Sequence, residues 1–277
     1  MSDNSVEMSK MPLLDHLIEL RQRLLYSVLA LFGAFIVCFY FAQPIYDFLN
    51  QPLADILLEM GASQDQSRRM IATDLTEVFF TQIKVAFFAA AFISCPIFLS
   101  QVWFFTAPGL YKHEKGAFAP FLIASPILFF IGGALVYYVI MPMAWSFFLG
   151  FETAGGPDSL PIQFEPKVNE YLSLVMKLIF AFGLCFQLPV IMTLLARVGL
   201  ATSAGMAAKR KYAIVGVFVV AAIFTPPDPL SQISLAIPII LLYEVSIHMA
   251  KLVERKRAER QEEMEEEELD EDSGSTP

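Results

Sequence analysis

Hydrophobic positions are gathered in long runs rather than spread at the spacing of amphipathic elements. Runs at residues 24–41, 78–99, 118–141 and 171–195 each approach the ~20 residues that cross a bilayer's hydrocarbon core. They predict four transmembrane helices. A fifth run, 212–224, has 13 residues. At about 1.5 Å per residue it reaches about 20 Å, against a core about 30 Å thick. It is followed by Thr225-Pro226-Pro227-Asp228-Pro229, through which no helix can run, and then by a sixth apolar run, 230–250. The last two runs read as a short hairpin whose tip stays at or below the membrane surface. The alternative is a re-entrant loop pair that does not cross. The first run starts behind the charged stretch 19–23 and has no small-residue cleavage site after it, so it reads as a retained helix.

Lysine and arginine test the span count. The N-terminus, the 100–117 loop, the 196–211 loop and the C-terminal tail hold 14 of the 19 basic residues. Arg68, Arg69, Lys84, Lys167 and Lys177 remain for the other side. The positive-inside rule then puts both ends in the cytoplasm, which needs an even number of crossings. The fold class expected is an all-α membrane protein with six transmembrane helices, the last two short, in a kinked concave bundle with cytoplasmic termini. Residues 1–23 form a cytoplasmic amphipathic segment, 24–250 the membrane domain and 251–277 a charged, unstructured tail. Pro96, Pro120, Pro126, Pro189 and Pro238 lie inside apolar runs, where each removes a backbone hydrogen bond and kinks a helix. The stretches at 42–77 and 142–170 are rich in Pro, Gly and acids and are expected to fold as caps over the outer face.

Composition agrees and narrows the function. The chain of 277 residues is 56% hydrophobic and 17% charged, against roughly 45–50% and 25% in soluble domains, and its mean hydropathy is +0.56. One soluble core could not bury that surface. The formal charge of −9 is mostly a tail property, since residues 251–277 carry eleven acids against five bases. Nucleic acid is therefore not an expected partner. Cys38, Cys95 and Cys185 sit in apolar runs, where a thiol acts as a small hydrophobe, and no spacing suggests a metal site or a disulfide framework.

Two segments on the cytoplasmic side carry candidate chemistry. The first, Asp15-His16-Leu17-Ile18-Glu19-Leu20-Arg21-Gln22-Arg23, is an amphipathic lead-in displaying Glu19 and Arg23. The second, Gln101-Val102-Trp103-Phe104-Phe105-Thr106-Ala107-Pro108-Gly109-Leu110-Tyr111-Lys112-His113-Glu114-Lys115, places the acid Glu114 among bases. Taken alone, the first reads rather as an interfacial helix with a basic stop flank and the second as a neutralised loop charge than as binding sites. Together with Ile71-Ala72-Thr73-Asp74, Tyr137-Tyr138-Val139-Ile140-Met141-Pro142, Phe182-Gly183 and Thr225-Pro226-Pro227-Asp228, they resemble the TatC family, the multispanning receptor of the twin-arginine protein translocase. The match runs in order from about Leu14 to Glu244. The acidic stretch 259–272 lies outside it.

The resemblance implies a protein of the bacterial inner membrane that binds signal peptides with two adjacent arginines. It also implies export of folded proteins driven by the proton-motive force. Its partners would be those signal peptides, TatB-like and TatA-like single-helix membrane proteins, further copies of itself, and membrane lipid. The implied signal-peptide residues are Glu19 and Glu114, with Arg21 and Phe105 beside them. A carboxylate accepts a guanidinium fork bidentately, whereas lysine offers a point charge, so two acids could read two arginines; Glu19 could instead pair with Arg23 four residues on.

Polar side chains inside the membrane are costly and are functional candidates by default. Gln187 stands where many relatives carry a glutamate, and a glutamine cannot titrate. Asp228 lies at the hairpin tip, where stabilising the following helix start is the alternative reading. Glu244 lies nearer the cytoplasmic end, where pairing with a base is equally open. Thr225 and Gln232 flank the tip. By resemblance they would meet single-helix partners, and internal satisfaction of the turn is the alternative. Lys84 and Lys177 are expected to snorkel outward. No cofactor and no metal is expected. A small-solute transporter would need a midplane cluster and usually internal repeats, and neither is apparent. A hydrolase would need HExxH or paired aspartates at one depth, and His16, His113 and His248 lie near cytoplasmic ends, so no enzymatic activity is expected.

Overall fold

The computed structural model describes the backbone of residues 3–59, 70–106, 115–153, 160, 162, 164–225 and 229–274. Every extended element among them is helical: α1 (Asp3–Tyr40), α2 (Ala42–Glu59), α3 (Glu77–Thr106), α4 (Lys115–Leu135), α5 (Met141–Leu149), α6 (Val168–Cys185), α7 (Leu188–Val198), α8 (Ser203–Ala208), α9 (Arg210–Phe224) and α10 (Pro229–Gly274). Five stretches are long and apolar enough to cross a membrane: Leu17–Tyr40, Glu77–Phe105, Pro120–Leu149, Val168–Val198 and Gln232–Glu259. The chain divides into two compact units, Met1–Phe180 and Ala181–Pro277.

In the first unit α1 lies along α3. Small residues bring α1, the start of α2 and α3 close: Cys38, Ala42, Ala86, Ala89 and Ala90 are buried together, with Leu31, Ala34, Phe35 and Ile45 packed on them. Aromatic rings fill the wider gaps, with Phe92 against Phe129 at 5.0 Å and Phe129 against Phe180 at 5.7 Å between centroids. α4 does not stop at Leu135. A π-helical turn over Val136–Ile140 joins it to α5; within it Tyr137 is buried, 7% exposed, and Tyr138 faces outward, 68% exposed.

The stretches at 42–77 and 142–170 meet each other. The backbones of Ile71 and Lys167 form a parallel bridge, with Ile71 N–H donating to Pro166 O at 3.1 Å and Val168 N–H to Ile71 O at 3.1 Å. Glu77, the first residue of α3, fastens the same place. Its carboxylate accepts from the N–H of Thr73 (2.6 Å), the N–H of Asp74 (3.3 Å) and the N–H of Asn169 (3.1 Å). Lys84, about two turns further along α3, is exposed and donates to Asn169 Oδ1 at 2.7 Å, which accounts for its position near the end of an apolar run. Lys177 is also exposed.

The fourth run departs from the single helix expected. α6 ends at Cys185 and α7 begins at Leu188, with Pro189 in its first turn and Gln187 at its N-cap. Pro189 has no N–H to give the carbonyl four residues back, and its ring crowds that carbonyl. Here two turn residues, Phe186 and Gln187, interrupt the helix, and Gln187 N–H donates to Leu184 O at 3.0 Å. At Pro96, Pro120, Pro126 and Pro238 the helices continue.

In the second unit α7, α8 and α9 gather around α10. Ala196, Met206, Tyr243, Ile247 and Ala250 form its core, and Tyr243 donates its hydroxyl to Met206 O at 2.9 Å. Glu254 accepts from the N–H of Ser203 at 2.7 Å and from its hydroxyl at 2.5 Å, fixing the start of α8. α7 ends on Gly199, whose φ of 82° is the left-handed turn that glycine adopts without strain. α9 is short, as expected, with 15 residues. α10 is not: it runs 46 residues and carries the helix through the charged segment where an unstructured tail was expected. That segment is dense in Glu, Lys and Arg, which are good helix formers, and Arg255 pairs with Glu259 one turn on at 2.9 Å.

Candidate functional site

The middle of α1 and the end of α3 come together. Glu19 and Arg23 occupy one face of α1, four residues apart, a spacing at which helical side chains meet. Arg23 Nε and Nη2 both donate to Glu19 Oε1, at 2.9 and 2.5 Å. Their side chains keep 25% (Arg23) and 33% (Glu19) exposure, so the pair is accessible from water. The Arg23 guanidinium lies over the ring of Phe104 on α3, 5.6 Å from its centroid, within cation–π range. Phe104 is itself 45% exposed. Behind it, Trp103 anchors the end of α3 to α4 by donating Nε1–H to Ser125 Oγ at 3.0 Å and stacking on Phe121 at 6.1 Å.

Of the four residues expected here, the structure places Glu19 in this cluster, Arg21 exposed on the same turn of α1, and Phe105 half-buried beside Phe104. Glu114 lies outside the described residues. Sequence alone did not single out Phe104 or give Arg23 a place against α3. The string Trp103-Phe104-Phe105 offered three rings, and only the rotation of α3 against α1 decides which one faces the guanidinium.

The remaining polar residues fall into place separately. Gln187 is buried, 5% exposed, at the break between α6 and α7; its carbonyl accepts from Ile191 N–H at 2.9 Å. Thr225 is 8% exposed, and its hydroxyl donates to Ala221 O, one turn back in α9, at 2.9 Å. Gln232 reaches across the hairpin and donates Nε2–H to Phe218 O at 3.0 Å. Both residues thus serve the turn itself. Glu244 is paired with a base: Arg210 Nε meets Oε1 at 2.8 Å and Nη2 meets Oε2 at 2.8 Å, a two-pronged contact joining α9 to α10. Asp228 lies outside the described residues.

A sequence model described as "Sec-independent protein translocase protein (TatC)" matches residues 15–238. The chain is 50% identical to the Sec-independent protein translocase protein TatC of Magnetococcus marinus over 91% of this chain and 88% of that protein. The chain belongs to the TatC family. The TatC of Escherichia coli K12 is 40% identical over 91% of this chain and 92% of its own length. A crystal structure of the twin arginine translocase receptor TatC superposes with a TM-score of 0.72 at 36% identity, covering 86% of this chain and 99% of that one. The relatives therefore share nearly the whole TatC-family chain, and the 15–238 match includes Glu19, Arg23, Phe104 and the α9 hairpin. A role in protein translocation accords with the described site, whose chemistry is ion pairing and ring stacking at a helix end.

Proposed function

We propose that this chain is the receptor and assembly platform of a twin-arginine translocase in a bacterial inner membrane. It crosses six times with both termini cytoplasmic, α9 and the start of α10 forming the last, short crossing pair. Signal peptides bind at the cytoplasmic end of α1 and α3, where Glu19 and Glu114 accept the paired arginines and Arg21 and Phe105 border the site. TatB-like and TatA-like single helices dock along the short hairpin near Thr225 and Gln232. Copies of the chain associate within the complex, the proton-motive force drives folded cargo across, and the chain performs no covalent chemistry and holds no cofactor. Gln187, lacking a titratable proton, does not carry the gradient; Asp228 and Glu244 are the acids near the hairpin, and Glu244 is held by Arg210.

The observation that carries the reading is the Glu19 carboxylate. It already binds a guanidinium at an aromatic surface, on a chain matching a twin arginine translocase receptor over nearly its whole length. The test is photocrosslinking in inverted membrane vesicles, with a photoreactive residue at Phe105 and precursors carrying twin arginine or twin lysine. Selective labelling by the twin-arginine precursor is expected. Equal labelling by both would overturn the assignment of the site.

A further inference from the structure

Resting on the reading of Glu19 as an arginine acceptor, we infer that Glu19 and Phe104 form a single arginine seat. Arg23 fills this seat in the unliganded protein, and a signal-peptide arginine takes it by displacing Arg23.

The Arg23 guanidinium has the two contacts an arginine-selective pocket supplies, a carboxylate at its edge and an aromatic ring under its face. An ammonium would keep the charge but lose the planar fork and most of the stacking. The seat is also within reach of water, with all three side chains partly exposed.

The grip on the seat is lopsided. Both Arg23 donors, on a side chain tethered one turn along the same helix, converge on Oε1 and leave Oε2 out of this contact. A guanidinium arriving on another chain has no such tether and can engage both oxygens in parallel, the stronger arrangement. Arg23 is thus a built-in competitor: strong enough to keep lysine and stray cations off Glu19, weaker than the two-oxygen contact that replaces it. Phe104 becomes a specificity-determining residue, since its face favours a planar cation over a tetrahedral one. On displacement, Arg23 can move toward water, where α1 exposes Arg21 and Gln22.

The experiment measures binding of two labelled peptides, one with Arg-Arg and one with Lys-Lys before the same apolar segment. The binder is the full chain in lipid nanodiscs, read by fluorescence anisotropy. Removing the competitor with R23Q should tighten the Arg-Arg peptide by about fivefold, because the free state then no longer holds its helical ion pair and cation–π interaction against the incoming arginine. The Lys-Lys peptide should change by less than that. Adding F104L to R23Q should erase the preference for Arg-Arg over Lys-Lys gained in R23Q. R23K, which keeps a tethered charge but no fork, should tighten binding by less than R23Q, and it carries the test if R23Q lowers the unfolding temperature. Unchanged or weaker Arg-Arg binding in both Arg23 variants overturns the inference. E19Q separates the two levels. If E19Q weakens Arg-Arg binding while the Arg23 variants fail to tighten it, the seat is wrong and the receptor reading stands. If E19Q has no effect, Glu19 is not an acceptor, and the seat falls together with the assignment of Glu19 to the signal-peptide site.

Discussion

Tyr137 donates its hydroxyl to the carbonyl oxygen of Phe48 at 2.7 Å, and Phe48 is the residue four positions before Pro52. In a regular helix that carbonyl would accept from residue 52, but proline has no N–H. The π-helical turn that carries Tyr137 thus repairs a defect in α2 from outside. The two rings also stack, 4.5 Å apart and 7° from parallel. At the neighbouring carbonyl, Tyr171 donates to Leu49 O at 3.1 Å. The π-helical turn and α6 thus both hold α2 through its backbone.

Tyr137→Phe should therefore destabilise the protein by about 0.5–1.5 kcal/mol, the net contribution of one hydrogen bond to a part-buried carbonyl. The effect should shrink when Pro52→Ala supplies the missing N–H. Thermal unfolding of the four combinations in detergent measures the coupling. Additive losses would mean that the Tyr137 hydroxyl has another role.

The helices were legible in the sequence, because a run of about 20 apolar residues has few alternatives, and so was the shortness of α9. The break at Gln187 was not. Pro96, Pro189 and Pro238 look alike in sequence, yet two sit in continuous helices and one stands in the first turn of a new helix. The Glu77 clasp on Asn169 and the Arg23–Phe104 contact join residues 92 and 81 positions apart, and pairing of that range depends on how helices rotate against each other. Glu19 and the Arg210–Glu244 pair were half legible: the carboxylates were singled out, and their neighbours decided between open alternatives.

Glu114→Gln should keep the fold and weaken binding of a twin-arginine peptide. A charged acceptor contributes on the order of 1.5–3 kcal/mol to such a contact, which is roughly tenfold to over a hundredfold in affinity. Glu19→Gln should act in the same direction and less strongly, because Arg23 already occupies that carboxylate and its loss costs the free state as well. Titration of both variants with the same peptide checks the order, and a larger loss in Glu19→Gln would reverse it.

At the hairpin the two candidate docking residues should separate. The Thr225 hydroxyl is turned into α9, where it bonds Ala221 O, and replacing it with valine should leave capture of a partner helix unchanged. Gln232 uses Nε2–H on Phe218 O, while its amide oxygen can still accept from a partner's polar group in lipid, where such bonds have few competitors. Gln232→Leu should lower disulfide crosslinking between cysteines beside the hairpin and on a TatB-like helix. Signal-peptide binding at α1 should survive. Equal crosslinking in wild type and Gln232→Leu would move the docking site elsewhere.

The crossing of α9 decides the topology. Its 15 residues extend about 22 Å, and a helix shorter than the hydrocarbon core crosses only by thinning the bilayer or recessing its ends, at fractions of a kcal/mol per Å. Arg210 at one end is held to Glu244, with Lys209 and Lys211 beside it, so that end cannot sink into lipid and the recess must fall at the Thr225 end. Five crossings would place the Lys251 to Arg260 cluster outside, against the distribution of basic residues; six return it to the cytoplasm. A reporter active only outside the cytoplasm should therefore work when fused at Gly156 and fail at Gly205 and after Arg257. Activity at Gly156 and after Arg257 together, with silence at Gly205, would mean that the α9–α10 pair crosses once rather than twice. A re-entrant pair that does not cross also leaves Arg257 silent, and it is told apart by a fourth fusion after Thr225, active only if α9 crosses.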